Sequence, residues 1–238
     1  MSFWGELYVR TTEPLFTEAK TSLEVGYLGW CFLSLQSKGP LLDLGCGIGR
    51  HSGRLAKLTG RPVIGLEADP YSVDHRLPGY SMIRANLMAL PFKPRSVAGA
   101  YCWYNTLFSF DPESASHILR SVASTLVDGG RMVVQGYPPE RRKPNYQLDH
   151  TFEDGSRLLE VAVMDEVNNA EELRRTFHLP DGRILEGTLK LHYYSAEALS
   201  HLFTMAGFEV RWVHGGPDRS PLSSESMELI IAADVRHG

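Results

Sequence analysis

The chain has 238 residues, 43% of them hydrophobic and 22% charged, which is enough for one large or two small domains around a real core. Its formal net charge of −4 argues against nucleic acid as a partner, and its longest apolar stretch near the N-terminus, residues 26–35, is too short for a bilayer. Three cysteines without metal-ligand spacing fit reduced thiols, and MSFWGELYVR lacks the apolar stretch of a signal peptide, so a cytoplasmic protein without a metal site is expected.

Leu23, Tyr27, Trp30, Cys31 and Leu35 fall at helical spacing and predict a helix over residues 13–36, ended by Lys38-Gly39-Pro40. PLLDLG is then a short buried strand, and residues 50–59 form a helix closing at Gly60. Further strands are predicted at 62–66 (PVIGL), 80–84 (YSMIR) and 97–103 (VAGAYCW). Asp111-Pro112-Glu113 combines an N-cap, a proline at the first helical position and an acid in the first turn. The helix it opens carries Ile118, Leu119, Val122, Ala123 and Leu126 on one face, and Gly129-Gly130 should stop it. RMVVQ (131–135) is a fifth strand. Continuously apolar strands alternating with helices predict a parallel sheet covered on both faces.

After Gly136 the pattern changes. Residues 137–150 read as a proline-rich connection, and clusters such as Arg141-Arg142-Lys143 and Arg174-Arg175 as solvated faces. Three segments with strand character follow, 157–165, 170–179 and 183–193, the last two joined by the turn Pro180-Asp181-Gly182. They predict an inserted antiparallel meander. Ser195 caps a last helix with Leu199, Leu202, Phe203 and Ala206 inward, and Gly207 ends it. The strands 208–213 and 227–235 are joined without a helix, so they should lie antiparallel at one edge of the sheet.

Chemistry gathers at LLDLGCGIGR (41–50). Gly45, Gly47 and Gly49 between a strand and a helix let a ligand approach the backbone closely, beside the free N–H groups of the helix start. A dinucleotide turn would carry its third glycine where Arg50 stands, and Asp43 would repel a pyrophosphate. A ligand with an amino-acid portion, whose ammonium a carboxylate favours, suits the turn better. Glu67 ends the second strand, 22 residues after Gly45, where an acid accepts both ribose hydroxyls. Asn86, 19 residues further on, offers an amide oxygen to an adenine amine, and Tyr104-Asn105 ends the fourth strand at the ligand-collecting edge.

LDLGCGIGR, IGLEADP, RANLMALPF, LVDGGRMVVQG and the terminal AGFEV…LIIAADV pair, in this order, resemble the class I S-adenosylmethionine-dependent methyltransferases over residues 40–136 and 195–235. FWGELY, the meander and HYYSAEAL resemble the bacterial small-molecule branch, which includes natural-product and amino-sugar enzymes. The resemblance implies a Rossmann-like, seven-stranded, mostly parallel α/β sheet with helices on both faces and an antiparallel last strand, plus the meander and an N-terminal helical lid. The corresponding division is lid helices at 1–39, a cofactor-binding core at 40–136 and 194–238, and an inserted substrate or homodimerisation region at 137–193. It also implies that Asp43, Gly45, Gly47 and Gly49 meet the methionine part of S-adenosylmethionine, Glu67 the ribose, Asn86 and Leu87 the adenine, and that Tyr8 covers the sulfonium. Asn86 stands where relatives usually carry aspartate, so weaker adenine selection is expected. Trp4, Tyr8 and Trp103 can supply an aromatic pocket for a quaternary ammonium.

Methyl transfer to a small-molecule acceptor, leaving S-adenosylhomocysteine, requires an aligned nucleophile at oxygen, nitrogen or carbon; a hydroxyl also requires a base. Tyr104, His150 in the connection and His192 at the meander's exit are the candidates. A cofactor-binding protein of this fold without chemistry, acting as a sensor or partner, and a nicotinamide-dependent oxidoreductase are the competing functions.

Overall fold

Short runs of leucine, valine and isoleucine bounded by glycine and proline bury both faces only when layers cover them on either side, and the chain builds that arrangement. The computed structural model describes residues 3–142 and 145–236; Lys143 of the basic cluster lies outside the described residues. A short helix α1 (Glu6–Thr11), a 3-10 turn (Glu13–Leu15) and α2 (Glu18–Leu33) come first. They lead into β1 (Leu41–Leu44), α3 (Ser52–Thr59), β2 (Val63–Glu67), α4 (Pro70–Asp74) and β3 (Ser81–Arg84). After these come β4 (Val97–Cys102), α5 (Pro112–Thr125) and β5 (Leu126–Gly136). Four strands follow, β6 (Tyr146–Thr151), β7 (Arg157–Asp165), β8 (Ala170–His178) and β9 (Ile184–His192). Helix α6 (Ala196–Met205), β10 (Phe208–His214) and β11 (Leu229–Val235) complete the chain.

The main sheet has seven strands in the order β10-β11-β5-β4-β1-β2-β3. The pairs among β1 to β5 are parallel, and β11 runs antiparallel to both β5 and β10. Alternate residues feed two layers. Ala100, Cys102, Met132, Val134 and Ile231 pack beneath α5 and α6, while Tyr101, Val133, Ile230 and Ala232 pack beneath α2 and α3. A second sheet, β6-β7-β8-β9, is antiparallel throughout. One of its faces meets α1, with Leu158, Leu173, Phe177 and Leu189 against Phe3, Leu7 and Tyr8. No helix among the described residues is long and apolar enough to cross a membrane.

Four expectations need correction. The helix read over 13–36 is two pieces: Phe16 is extended, and Thr17 restarts the helix by accepting a hydrogen bond from the Lys20 amide. Leu23 lies on the outer face of α2, 51% exposed, because the buried stripe runs through Thr21, Val25, Leu28 and Phe32. Helix α5 ends at Thr125, not at the glycine pair, since Leu126 turns extended and pairs with Val97. The proline-rich connection contains the strand β6, which pairs along its whole length with β7.

Candidate functional site

A cavity enclosing about 140 Å³ opens at the carboxyl ends of β1, β2 and β4. Tyr8, Asp43, Gly45, Gly47, Glu67, Asn86, Leu87 and Tyr104, all singled out from the sequence, line it together with Trp4 and Trp103. Gly49 lies behind it, where a Cβ would come 2.1 Å from the Tyr80 hydroxyl. Gly45, at φ +69°, also packs tightly, 2.4 Å from Thr106 Cγ2 to a built Cβ. Gly47, at φ +55°, meets only Glu13 Oε1 at 3.6 Å, so its missing side chain keeps the cavity open.

Glu67 is held by three backbone amides. Its Oε1 accepts from Ala68 (2.8 Å) and Asp69 (2.9 Å), and its Oε2 from Gly47 (2.9 Å). Burial pushes its carboxyl up, and these amides pull it part of the way back. Three of roughly four acceptor positions are thus in use, so a bidentate grip on a ribose requires the Gly47 contact to open. Asp43, buried beneath the turn, accepts from the Ser52 hydroxyl (2.5 Å) and the Tyr101 hydroxyl (2.7 Å). Burial raises this carboxyl too. Asn86 Oδ1 accepts from the Met88 amide at 2.9 Å, which leaves it one lone pair.

Three further residues at this cavity escape a sequence reading. Arg50 lines it with its guanidinium 4.0 Å from the Phe16 ring centre, bound to Thr21 Oγ1 (3.0 Å) and to Glu24. His51 Nε2 lies 2.9 Å from the same Glu24 oxygen, and Glu13 lines the cavity near Gly47. The available signal is Glu24 itself, an acid on the buried stripe of α2, which demands a cation from elsewhere in the chain.

A second cavity, of about 290 Å³, lies between α1 and the four-stranded sheet and shares Trp4, Tyr8 and Tyr104 with the first. Tyr104 stands at the junction in an unusual backbone state. It and Asn105 have φ of +54° and +62°, the left-handed region that non-glycine residues avoid. Gln135 secures the turn, its Oε1 accepting from the Tyr104 amide (2.6 Å), while Asn105 Oδ1 accepts from the Tyr137 amide (2.8 Å). Burial pushes the Tyr104 hydroxyl up, so it stays protonated at neutral pH.

The histidines are not brought to this junction. His150 lines an outer groove and stands edge-on to Phe152, with ring centres 4.5 Å apart. Leu189 and Leu191 on β9 face the second cavity, so strand alternation turns His192 to the opposite side. It is buried there with its Nδ1 unbonded, and burial pushes its ring below the ordinary histidine range.

Residues 41–130 match the family model described as "Methyltransferase domain". An O-methyltransferase, resE, from Aspergillus sclerotiorum is 26% identical over 197 residues, covering 79% of this chain and 69% of that one. The CcbJ methyltransferase of Streptomyces caelestis superposes with a TM-score of 0.83 at 20% identity, covering 99% of both chains. CalS10 of Micromonospora echinaspora, an amino pentose methyltransferase solved with S-adenosylmethionine bound, superposes with a TM-score of 0.69 at 19% identity, covering 96% of both. The match over residues 41–130 is thus to a methyltransferase domain, and the chain as a whole has the fold of the S-adenosylmethionine-dependent methyltransferases.

Proposed function

We propose that the protein transfers a methyl group from S-adenosylmethionine to a small-molecule acceptor, releasing S-adenosylhomocysteine. The observation that carries this reading is the meeting of two unlike cavities at Trp4, Tyr8 and Tyr104. One has the acid, open glycine turn and amide suited to a nucleoside joined to an amino acid. The other is an aromatic-rich, mainly apolar chamber with a few buried charged groups, near the lower end of small-molecule site volumes.

The residues present fit the cofactor. Glu67 would take the ribose, Asn86 and Leu87 the adenine, Asp43 the ammonium and Arg50 the carboxylate, with Gly47 leaving room for the chain between them. S-adenosylmethionine, when bound, supplies a methyl group already activated on a sulfonium. The protein's own part is then to align the acceptor and exclude water; alignment in well-oriented systems is worth roughly 7–11 kcal/mol. Tyr104 suits alignment because its turn is clamped by Gln135, and its protonated hydroxyl serves as a hydrogen-bonding group instead of a base. Tyr8 on α1 and Trp4 just before it close the junction. The reading assigns proton removal to neither His150 nor His192, since they line neither cavity.

Calorimetric titration with S-adenosylmethionine, S-adenosylhomocysteine and a nicotinamide cofactor tests the first cavity; the first two should bind and the third should not. Transfer of a labelled methyl group into a metabolite pool then separates an enzyme from a silent binder. Tyr104→Ala is expected to lower turnover by about 100-fold while shifting cofactor affinity far less. Unchanged turnover would make this tyrosine purely structural.

A further inference from the structure

We infer that the second cavity receives an acceptor bearing a cationic amine, with the Glu171 carboxylate binding its ammonium; the word acceptor rests on the methyl-transfer reading above. Glu171 lies on β8, lines this cavity and is 7% exposed. Its Oε2 accepts from the Tyr193 hydroxyl at 2.6 Å, and its Oε1 takes no hydrogen bond from any described residue. A carboxylate taken that far out of water is unfavourable unless a cation or several donors meet it.

The other charges at the cavity are already engaged. Glu160 is closed off by Arg175 and the Tyr146 hydroxyl. Arg175 also donates to Thr11 Oγ1 (2.7 Å) and Thr12 Oγ1 (2.8 Å). Arg141 directs its Nε and Nη2 to the Ser226 and Ser224 carbonyls at 2.9 and 3.1 Å. Arg142, whose charge reaches Tyr193, donates to Asn169 Oδ1 and stands 3.9 Å from Glu166. Among the described residues, Glu171 is therefore the carboxylate at this cavity without a cation.

The surrounding groups favour the same ligand. Tyr104, Tyr137, Tyr146 and Tyr193 line the cavity, and burial pushes all four hydroxyls up, so the rings stay neutral at physiological pH. Neutral aromatic faces beside the Glu171 carboxylate attract an ammonium. A neutral alcohol can hydrogen-bond to Glu171 but gains no charge–charge attraction there.

Saturation-transfer NMR on the full chain at about pH 7.5 tests the assignment with benzylamine and benzyl alcohol, one cationic and one neutral probe of the same shape. The measurement is made with and without S-adenosylhomocysteine. Benzylamine is expected to bind about tenfold more tightly than the alcohol, as a charge-assisted contact would give. Glu171→Gln should bring the two within about twofold of one another, and Glu171→Asp, which keeps the charge but retracts it, should reduce the preference. Equal affinities in the unmodified protein, binding of neither probe, or a preference unchanged in a folded Glu171 variant would each overturn the proposal. Failure of S-adenosylhomocysteine to bind would sink the methyl-transfer reading alone, because the amine preference is scored without it as well.

Discussion

Gly45 and Gly47 stand two positions apart in one turn, yet a side chain at each meets different surroundings. A methyl group at Gly45 would strike Thr106 at 2.4 Å in a left-handed backbone, so Gly45→Ala should lower stability by about 2 kcal/mol in urea unfolding. Gly47 faces open space, and Gly47→Arg should stay folded, at about 1 kcal/mol for the positive φ, while losing cofactor binding in calorimetry. Normal cofactor affinity in the folded variant would contradict the placement. Asp43 carries a pH signature. Its folded-state carboxyl is raised above its unfolded value, so the native state binds the proton more tightly and loses stability as pH climbs between the two values. Asp43→Asn, which keeps an oxygen for Ser52 and Tyr101, should therefore gain melting temperature over the unmodified protein at pH 7.5 and lose that advantage near pH 4. A gain that stays constant with pH would show that the charge is not the cause. Asp43 and Glu67, which line the cavity, could be singled out because each sits near the end of a strand that runs into it. Arg50, His51 and Glu24 were not, because a contact across 26 or 27 positions leaves no periodic trace. The two histidines misled for a related reason: a strand face is known only once its register is.

At the scale of elements, the site is roofed by α1 lying on the four-stranded sheet, and that packing depends on Gly187. A Cβ there would fall 2.7 Å from Phe3 Cα and 3.0 Å from Leu7 Cδ2, so the helix can approach β9 only over a bare backbone. Gly187→Val should lift α1 while leaving the parallel sheet intact. Faster hydrogen exchange in residues 6–11 with unchanged exchange in β1, β4 and β5 is the expected result, together with a raised KM. Uniformly faster exchange would mean that the roof and the core unfold as one unit. The elements that were readable had strong local signals, such as the Asp111–Pro112 cap, whose carboxylate accepts from the Glu113 and Ser114 amides. Strand β6 had little: YQLDHT is mostly exposed, alternates only over Tyr146–Asp149 and owes its strand state to pairing with β7. Helix α4 carries the same Asp–Pro start, at Asp69 and Pro70, but at five residues it is too short to show helical spacing. The early end of α5 came from tertiary pairing, since the ladder from Leu126 to Val97 outweighed helical spacing that continued past it.

On the scale of the whole molecule, three stretches far apart in sequence close on one junction: α1 with Tyr8, the strand ends with Glu67 and Tyr104, and the inserted sheet with Glu171 and Tyr193. A ligand touching only the glycine turn would stabilise the parallel core and leave the roof as it was. A ligand that reaches the junction must also engage Trp4 and Tyr8, and through them the apolar contacts that dock α1 on the inserted sheet. At 100 times its dissociation constant, S-adenosylhomocysteine should stabilise the protein by about 2.7 kcal/mol, or about 5–10 °C in melting temperature for a chain of this size. The same addition should slow hydrogen exchange in residues 6–11 and 184–192 as well as in 41–67, because opening the roof would then require breaking contacts to the ligand. Protection restricted to 41–67, with the roof exchanging as before, would separate cofactor binding from closure and leave the acceptor chamber to be ordered by the acceptor itself.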